Sequence, residues 1–263
     1  MATSSIRAEK PGRSPANRSL ERGIDILRSF RPGSELLGNA DLAERTGLSR
    51  STVSRLTQTL VGAGYLQVEA RTRAYRLAPA VLSLAHAMRS GSTVLSIAAP
   101  HMRAAAQAER INVGIAAADR GEMVYLESIR YNRRPSLRTV VSGQRVPMEL
   151  TSLGRAYLAT APEHQRKALF AHFRSLRRAQ WGQLEPAITA AMAHVHEKGY
   201  CAASWQAEVV AVATPLTFND SRYALNMSVS TADAFATVVR ELGPVLLALK
   251  ARIQRELDVA TGS

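Results

Sequence analysis

The chain has 263 residues, a net charge of +13 and one cysteine. Its length exceeds the usual single domain, and a 46% hydrophobic share suffices for a sizeable core. A lone Cys201 excludes an internal disulfide. No apolar run approaches the ~20 residues of a membrane span, and the basic N-terminus lacks a secretory apolar segment. A cytoplasmic protein with no membrane association is expected. The charge is spread along the chain: 14 basic against 7 acidic residues over 1–90, and 20 against 14 over 91–263. That suits DNA or an acidic ligand.

Residues 1–18 are polar, basic and contain Pro and Gly, and predict a disordered arm. Residues 19–30 predict a helix with an apolar stripe of Leu20, Ile24, Ile26, Leu27 and Phe30, ended by Pro32 and Gly33. A short amphipathic helix carrying Leu42 and Ala43 follows. Thr46-Gly47-Leu48 makes a tight connection in which Gly47 can take a positive φ. Ser49 stands where an N-cap belongs, before a helix whose Val53, Leu56, Leu60 and Val61 recur at helical spacing. Two helices joined by a short Gly turn place the second in a DNA major groove.

Gly62 and Gly64 stop that helix. Residues 65–68 and 74–77 then read as two strands around a basic wing at 69–73 that carries Arg71 and Arg73. Ser49, Arg50, Ser51, Thr52, Ser54 and Arg55 lie at or near the start of the second helix. Arg can bond guanine through two hydrogen bonds, Ser and Thr reach bases or phosphates, and a capped first turn suits a phosphate oxygen. Five Arg face one Glu between positions 50 and 76, the excess that binds phosphate in a salt-dependent way.

A helix is predicted over 79–89, and a second over 93–110, interrupted or restarted near Pro100. Beyond it, 112–118 and 123–129 are short β-like runs around Asp119-Arg120-Gly121, and 137–141 gives another strand. Helices are predicted over 152–160, opened by Thr151, over 162–173, and over 184–198, stopped by Gly199. Strands at 209–216 and 223–229 flank Asn219-Asp220, and a long helix over 232–257 follows. Helices mixed with hairpin-connected strands predict an α+β domain with a largely antiparallel sheet.

These segments, in order, resemble the IclR family of bacterial transcriptional regulators. SLERGIDILRSF resembles the family's opening helix, LAERTGLSRSTVSRLTQTLVGAGYL its helix-turn-helix and first wing strand, and YRLAPAVLSLA its wing-to-linker junction. VPMELTSLGRAYLA resembles the pocket-lining segment, and KGYCAASW, VVAVATPL and YALNMSVS the later strands and loops. The resemblance implies a winged helix-turn-helix over 19–78, a linker helix over 79–92 and a GAF-like α/β effector-binding domain over 93–263. It implies dimers or dimers of dimers on palindromic double-stranded operators, controlled by a small-molecule effector, often an organic or aromatic acid, with no cofactor or metal.

By position, the resemblance puts Ser152, Leu153 and Gly154 on the pocket loop and helix start, Arg138 on the preceding strand, and Ser228 and Ser230 on the effector carboxylate. Physical reasoning supports part of this. A helix opened at Thr151 favours an anion, Gly154 permits close approach, and serines two apart on a strand share a face. Arg138 or Arg155 can pair with a carboxylate through two bonds. Related sensors of small oxo-acids carry an acidic residue in the loop after the Gly-Tyr pair and a Cys on the next strand. Here that loop, CAASWQAE, lacks Asp, and the strand position is Ala211. With Trp205 as an apolar wall, a larger or aromatic acid is expected.

The rival reading is an enzyme acting on a small carboxylic acid with a fused DNA-binding domain. His194 and His196 form a pair without partners at metal-ligand spacing, and Cys201 has no identifiable His partner. Nucleophile-elbow, P-loop and dinucleotide fingerprints are all missing. An architectural DNA binder without a ligand would not need the second domain.

Overall fold

The computed structural model describes residues 17–131, 141–206 and 208–261. The expected arm, apart from Asn17 and Arg18, and the expected strand at 137–141, apart from Val141, lie outside the described residues. The chain forms two compact units, Met1–Ala87 and Met88–Ser263.

The first unit is built by local capping and a small core. In α1 (Arg18–Arg28), the Asn17 side chain accepts from the backbone N–H groups of Ser19 and Leu20. The expected stripe divides. Ile26 and Phe30 are buried, while Leu20 and Ile24 are exposed. Helix α2 (Asn39–Thr46) closes on Gly47, whose φ of 69° puts it in the left-handed region expected of the turn. Ser49 caps α3 (Arg50–Gly62) by accepting from the Thr52 N–H at 3.3 Å. Strands β1 (Leu66–Glu69) and β2 (Ala74–Leu77) pair antiparallel, and Leu37 exchanges two backbone hydrogen bonds with Tyr75. The core joins Ile26, Phe30, Leu37, Leu42, Val53 and Leu56. Helix α4 (Ala80–Ser90) crosses the division between units and contains no buried residue.

The second unit is a six-stranded, wholly antiparallel sheet of order β5-β4-β3-β8-β7-β6. Its strands are β3 (Asn112–Asp119), β4 (Glu122–Ile129), β5 (Arg145–Pro147), β6 (Cys201–Gln206), β7 (Val209–Phe218) and β8 (Ser221–Ser230). Alternation divides each strand between two faces. Val113, Ile115, Val212, Leu225 and Met227 face α5 (Thr93–Glu109) and α9 (Phe235–Thr261). Ala116, Met123, Ala213 and Ala224 face α6 (Ser152–Thr160), α7 (Glu163–Leu176) and α8 (Trp181–Lys198). The result is an α+β unit with helices on both faces of the sheet.

The structure corrects several expectations. Pro100 does not interrupt α5, because Val94, Ala98, Met102 and Ala106 form a buried stripe at four-residue spacing whose packing outweighs one lost backbone bond. The segment after the Gly-Tyr pair is strand β6 rather than a loop, paired to β7 through Cys201, Ala202 and Ala203. Helix α8 begins at Trp181, ahead of the expected 184, with Pro186 tolerated in its opening turns.

Gly154 is fixed by packing: a Cβ there would run into the Met148 backbone carbonyl. Gly182, inside α8, has nothing within 4 Å of its virtual Cβ. Gly154→Ala should therefore destabilise the fold by ~1–3 kcal/mol or more. Gly182→Ala should be neutral or stabilising by about 0.5–1 kcal/mol. Paired denaturant melts test the contrast, and equal midpoints for the two variants would refute the packing at Gly154.

Candidate nucleic-acid interface and ligand pocket

The N-terminal turn of α3 gathers the polar residues that the sequence singles out. Arg50, Ser51 and Arg55 are exposed, Thr52 and Ser54 partly so, while Val53 and Leu56 anchor the opposite side in the core. The Ser49 hydroxyl lies 3.1 Å from that of Ser51 and 2.9 Å from that of Thr52, a hydroxyl cluster over the first backbone N–H groups. Arg71 and Arg73 are exposed in the turn between β1 and β2, where Arg73 takes a φ of 51°. Arg76 is ion-paired to Glu69 across the hairpin, which leaves the turn arginines to carry the wing's charge. A capped basic helix beside a basic hairpin can neutralise phosphates and present Arg to base edges.

In the second unit, cross-strand register brings distant residues onto one face of the sheet. Gly114 stands opposite Ser128 on one side and Asn226 on the other. One rung further, Ser228 lies between Asn112 and Ala211. Next, Val209 lies between Ser230 and Gln206. Opposed residues in an antiparallel pair point to the same face. Together they line a recess of about 80 Å³, with Tyr125 and Arg130 among its walls.

Ser228 and Ser230 thus meet in one pocket. Ser152, Leu153, Gly154, Arg155 and Trp205 do not line it. Ser152 is buried at the start of α6, its hydroxyl without a hydrogen-bond partner among the described residues. Leu153 belongs to the core on the α6 face. The Arg155 Nε donates to the Glu149 carbonyl at 3.2 Å. Burial lowers its pKa, partly opposed by Cys201 and Glu149. Trp205 is exposed on β6, and its neighbour Gln206 is the one that reaches the pocket. Arg138 lies outside the described residues.

Sequence reasoning missed Asn112, Asn226, Gln206 and Arg130, since no local motif links them. The Asn226 side-chain nitrogen donates to the Tyr125 hydroxyl at 3.4 Å, and its Oδ1 has no partner among the described residues. Gly114 makes room for both, because a Cβ there would lie 2.5 Å from the Tyr125 ring and 2.7 Å from Asn226 Oδ1. Burial pushes the Tyr125 hydroxyl up to about 12, so it stays a neutral donor and acceptor.

At the end of β4 a bulge inserts one residue opposite Ile115 and Ala116, leaving Leu126 outside the register. The Leu126 carbonyl accepts from Arg89 of α4, whose other terminal nitrogen donates to Glu127 Oε2 at 2.6 Å. Glu127 Oε1 accepts from the Ser128 N–H at 2.9 Å and the Ser142 hydroxyl at 3.0 Å. Burial would raise the Glu127 pKa, but Arg89, Ser128 and Ser142 together hold it below the usual value.

The features weighed for an enzyme have structural roles. His194 Nδ1 lies 2.8 Å from the Tyr200 carbonyl oxygen, with its ring edge-on to Tyr200. Among the described residues, no three His, Cys, Asp or Glu come together as a metal set, and no helix is long and apolar enough to cross a membrane.

Comparisons with known proteins cover both units. The family model for the IclR helix-turn-helix domain matches residues 19–70, and that for the bacterial transcriptional regulator IclR C-terminal domain matches 86–253. The chain is 34% identical over 251 residues to the HTH-type transcriptional regulator TsaQ1/TsaQ2 of Comamonas testosteroni, covering 92% of this chain and 89% of that one. It is 30% identical to the DNA-binding transcriptional repressor YiaJ of Escherichia coli (strain K12), covering 86% and 82%. The crystal structure of an IclR family transcriptional regulator from Brucella abortus superposes with a TM-score of 0.83 at 31% identity, covering 92% and 93%.

Burial pushes the Cys201 thiol up to about 12, and its Sγ donates to the Ser152 carbonyl at 3.4 Å. It should therefore resist thiol reagents at pH 8 in the native protein and react in full on denaturation. Rapid native labelling in a disulfide-exchange assay would show the thiol to be accessible and activated, contrary to this packing.

Proposed function

The chain belongs to the IclR family of bacterial transcriptional regulators, and on that premise we propose that it binds a palindromic operator as a homodimer or dimer of dimers under the control of a small carboxylic acid. It acts in the cytoplasm through three parts: a DNA-binding domain over 19–78 behind an arm at 1–18, a linker helix over 79–92, and an effector domain over 93–263. The observation that carries the DNA reading is the exposed, Ser49-capped start of α3 beside the basic wing. Arg50 and Arg55 read base edges. Ser49, Ser51, Thr52 and Ser54 hold phosphates or bases, and Arg71 and Arg73 grip the flanking backbone.

Self-association is supported by α4, which buries none of its residues and exposes Leu82, Leu84 and Met88. A second copy would cover that apolar surface. Two recognition helices must then reach major grooves about 34–36 Å apart or a multiple of it.

The effector occupies the sheet pocket, its carboxylate on Ser228 and Ser230 with Arg130 supplying charge. Arg138 and, at the start of α6, Ser152, Leu153, Gly154 and Arg155 complete the proposed set of effector-binding residues in the same domain. Transmission runs through Arg89. What supports this is a continuous path from α4 to the Leu126 carbonyl and Glu127, and on to Ser128, which lines the pocket. The acid shifts the equilibrium only by its differential affinity for the two states, ~1–3 kcal/mol in typical regulators.

Arg50→Ala or Arg55→Ala should weaken operator binding by about 1–3 kcal/mol and flatten its salt dependence. Unchanged affinity in both variants would remove α3 as the recognition helix. Arg89→Ala and Glu127→Gln should each reduce the acid's effect on operator affinity to less than about twofold, and the double variant should lose no more than either alone. An intact response in Arg89→Ala would break the proposed path.

A further inference from the structure

The lining of the sheet pocket narrows the ligand class, an inference that rests on reading this pocket as the effector site. Three carboxamides (Asn112, Gln206 and Asn226) and three hydroxyls (Ser128, Ser228 and Ser230) converge on it from three strands and the end of β6. Among the described residues no carboxylate lines it, and Arg130 contributes a positive charge. Tyr125, the one aromatic among the described lining residues, has its ring against Gly114 and its hydroxyl on Asn226.

Asn226 is 4% exposed, and its Oδ1 accepts nothing among the described residues. A buried acceptor without a donor is costly, and a ligand hydroxyl that reaches it would supply that donor. A plain carboxylate supplies acceptors only; a hydroxyl supplies both. An aromatic ring supplies neither at its edge and would leave the carboxamides desolvated without partners.

The volume sets the scale. About 80 Å³ of the recess is open to the centres of water-sized groups, the scale of a compact organic acid. That admits a short carbon skeleton with a carboxylate and two hydroxyls.

We propose that the effector is a small aliphatic acid bearing adjacent hydroxyls, of the size of glycerate or tartrate. Its carboxylate lies against Ser228, Ser230 and Arg130, and Asn112, Gln206 and Asn226 read its hydroxyls. This departs from the expectation of a larger or aromatic acid, which rested on the missing acidic residue, on Ala211 and on Trp205 as a wall; Trp205 does not line this recess.

The test is calorimetric titration of the full chain with glycerate, tartrate, propionate, benzoate and inorganic phosphate, alongside operator binding. Glycerate or tartrate should bind roughly tenfold or more tighter than propionate and benzoate. Asn226→Ala should erase that preference. Should it fold poorly, Asn112→Ala and Gln206→Ala, at half-buried positions, should each narrow the gap about tenfold while propionate affinity changes less than about twofold. Benzoate, propionate or phosphate binding as tightly as the hydroxy acids would overturn the ligand class while leaving an anion-binding pocket. No binding by any probe, with operator binding indifferent to all of them, would overturn the class together with the effector reading beneath it.

Discussion

In an antiparallel pair, residues opposite one another share a face, so the register of β3 against β4 and β8 decides which side chains meet in the sensing unit. A slip of one residue would exchange Val113 and Ile115 for Asn112 and Gly114, turning the apolar layer under α5 and α9 toward the pocket. That layer, with Leu225 and Met227 from β8, is the larger energetic term, since each buried aliphatic side chain contributes ~1.5–3 kcal/mol. The pocket side chains contribute little to folding. They are held in place because their neighbours in sequence are locked into the core on the other face.

The same register underlies the proposed route from pocket to linker. At the bulge Arg89 takes the Leu126 carbonyl together with the Glu127 carboxylate. A half-exposed ion pair alone is worth ~0–1 kcal/mol, too little to set a regulatory equilibrium by itself. A charge-assisted hydrogen bond to a carbonyl contributes about 1.5–3 kcal/mol, the scale of typical allosteric coupling. The DNA-binding unit asks less of its core. Ile26, Leu42 and Val53 hold α3 in the core, and the arginines proposed to contact DNA stay exposed, where salt weakens their electrostatic share.

The helix-turn-helix was legible because its signals are local. Gly47 is the residue type that a left-handed turn selects, and Ser49 accepts the N–H that an N-cap must satisfy. Strands β3, β4, β7 and β8 were legible from alternation and from the turns at Asp119-Arg120-Gly121 and Asn219-Asp220. Strand β6 was not, because Cys201-Ala202-Ala203-Ser204 has no alternation and becomes a strand only through pairing with β7. Strand β5, three residues long, is too short to carry a period. In the pocket, Ser228 and Ser230 stood out by spacing, whereas Asn112, Gln206 and Asn226 converge only after strands far apart in sequence have paired. Gly154 showed the opposite failure: the residue type suggested room for a ligand, and the Met148 backbone fills it.

The most direct test of a ligand-controlled DNA-binding protein is its affinity for the intergenic DNA upstream of its own gene, measured across salt concentrations with and without saturating small acid. The account predicts specific, salt-sensitive binding to a palindrome, with affinity or footprint shifted by one acid class. Absence of specific binding at low salt would contradict it.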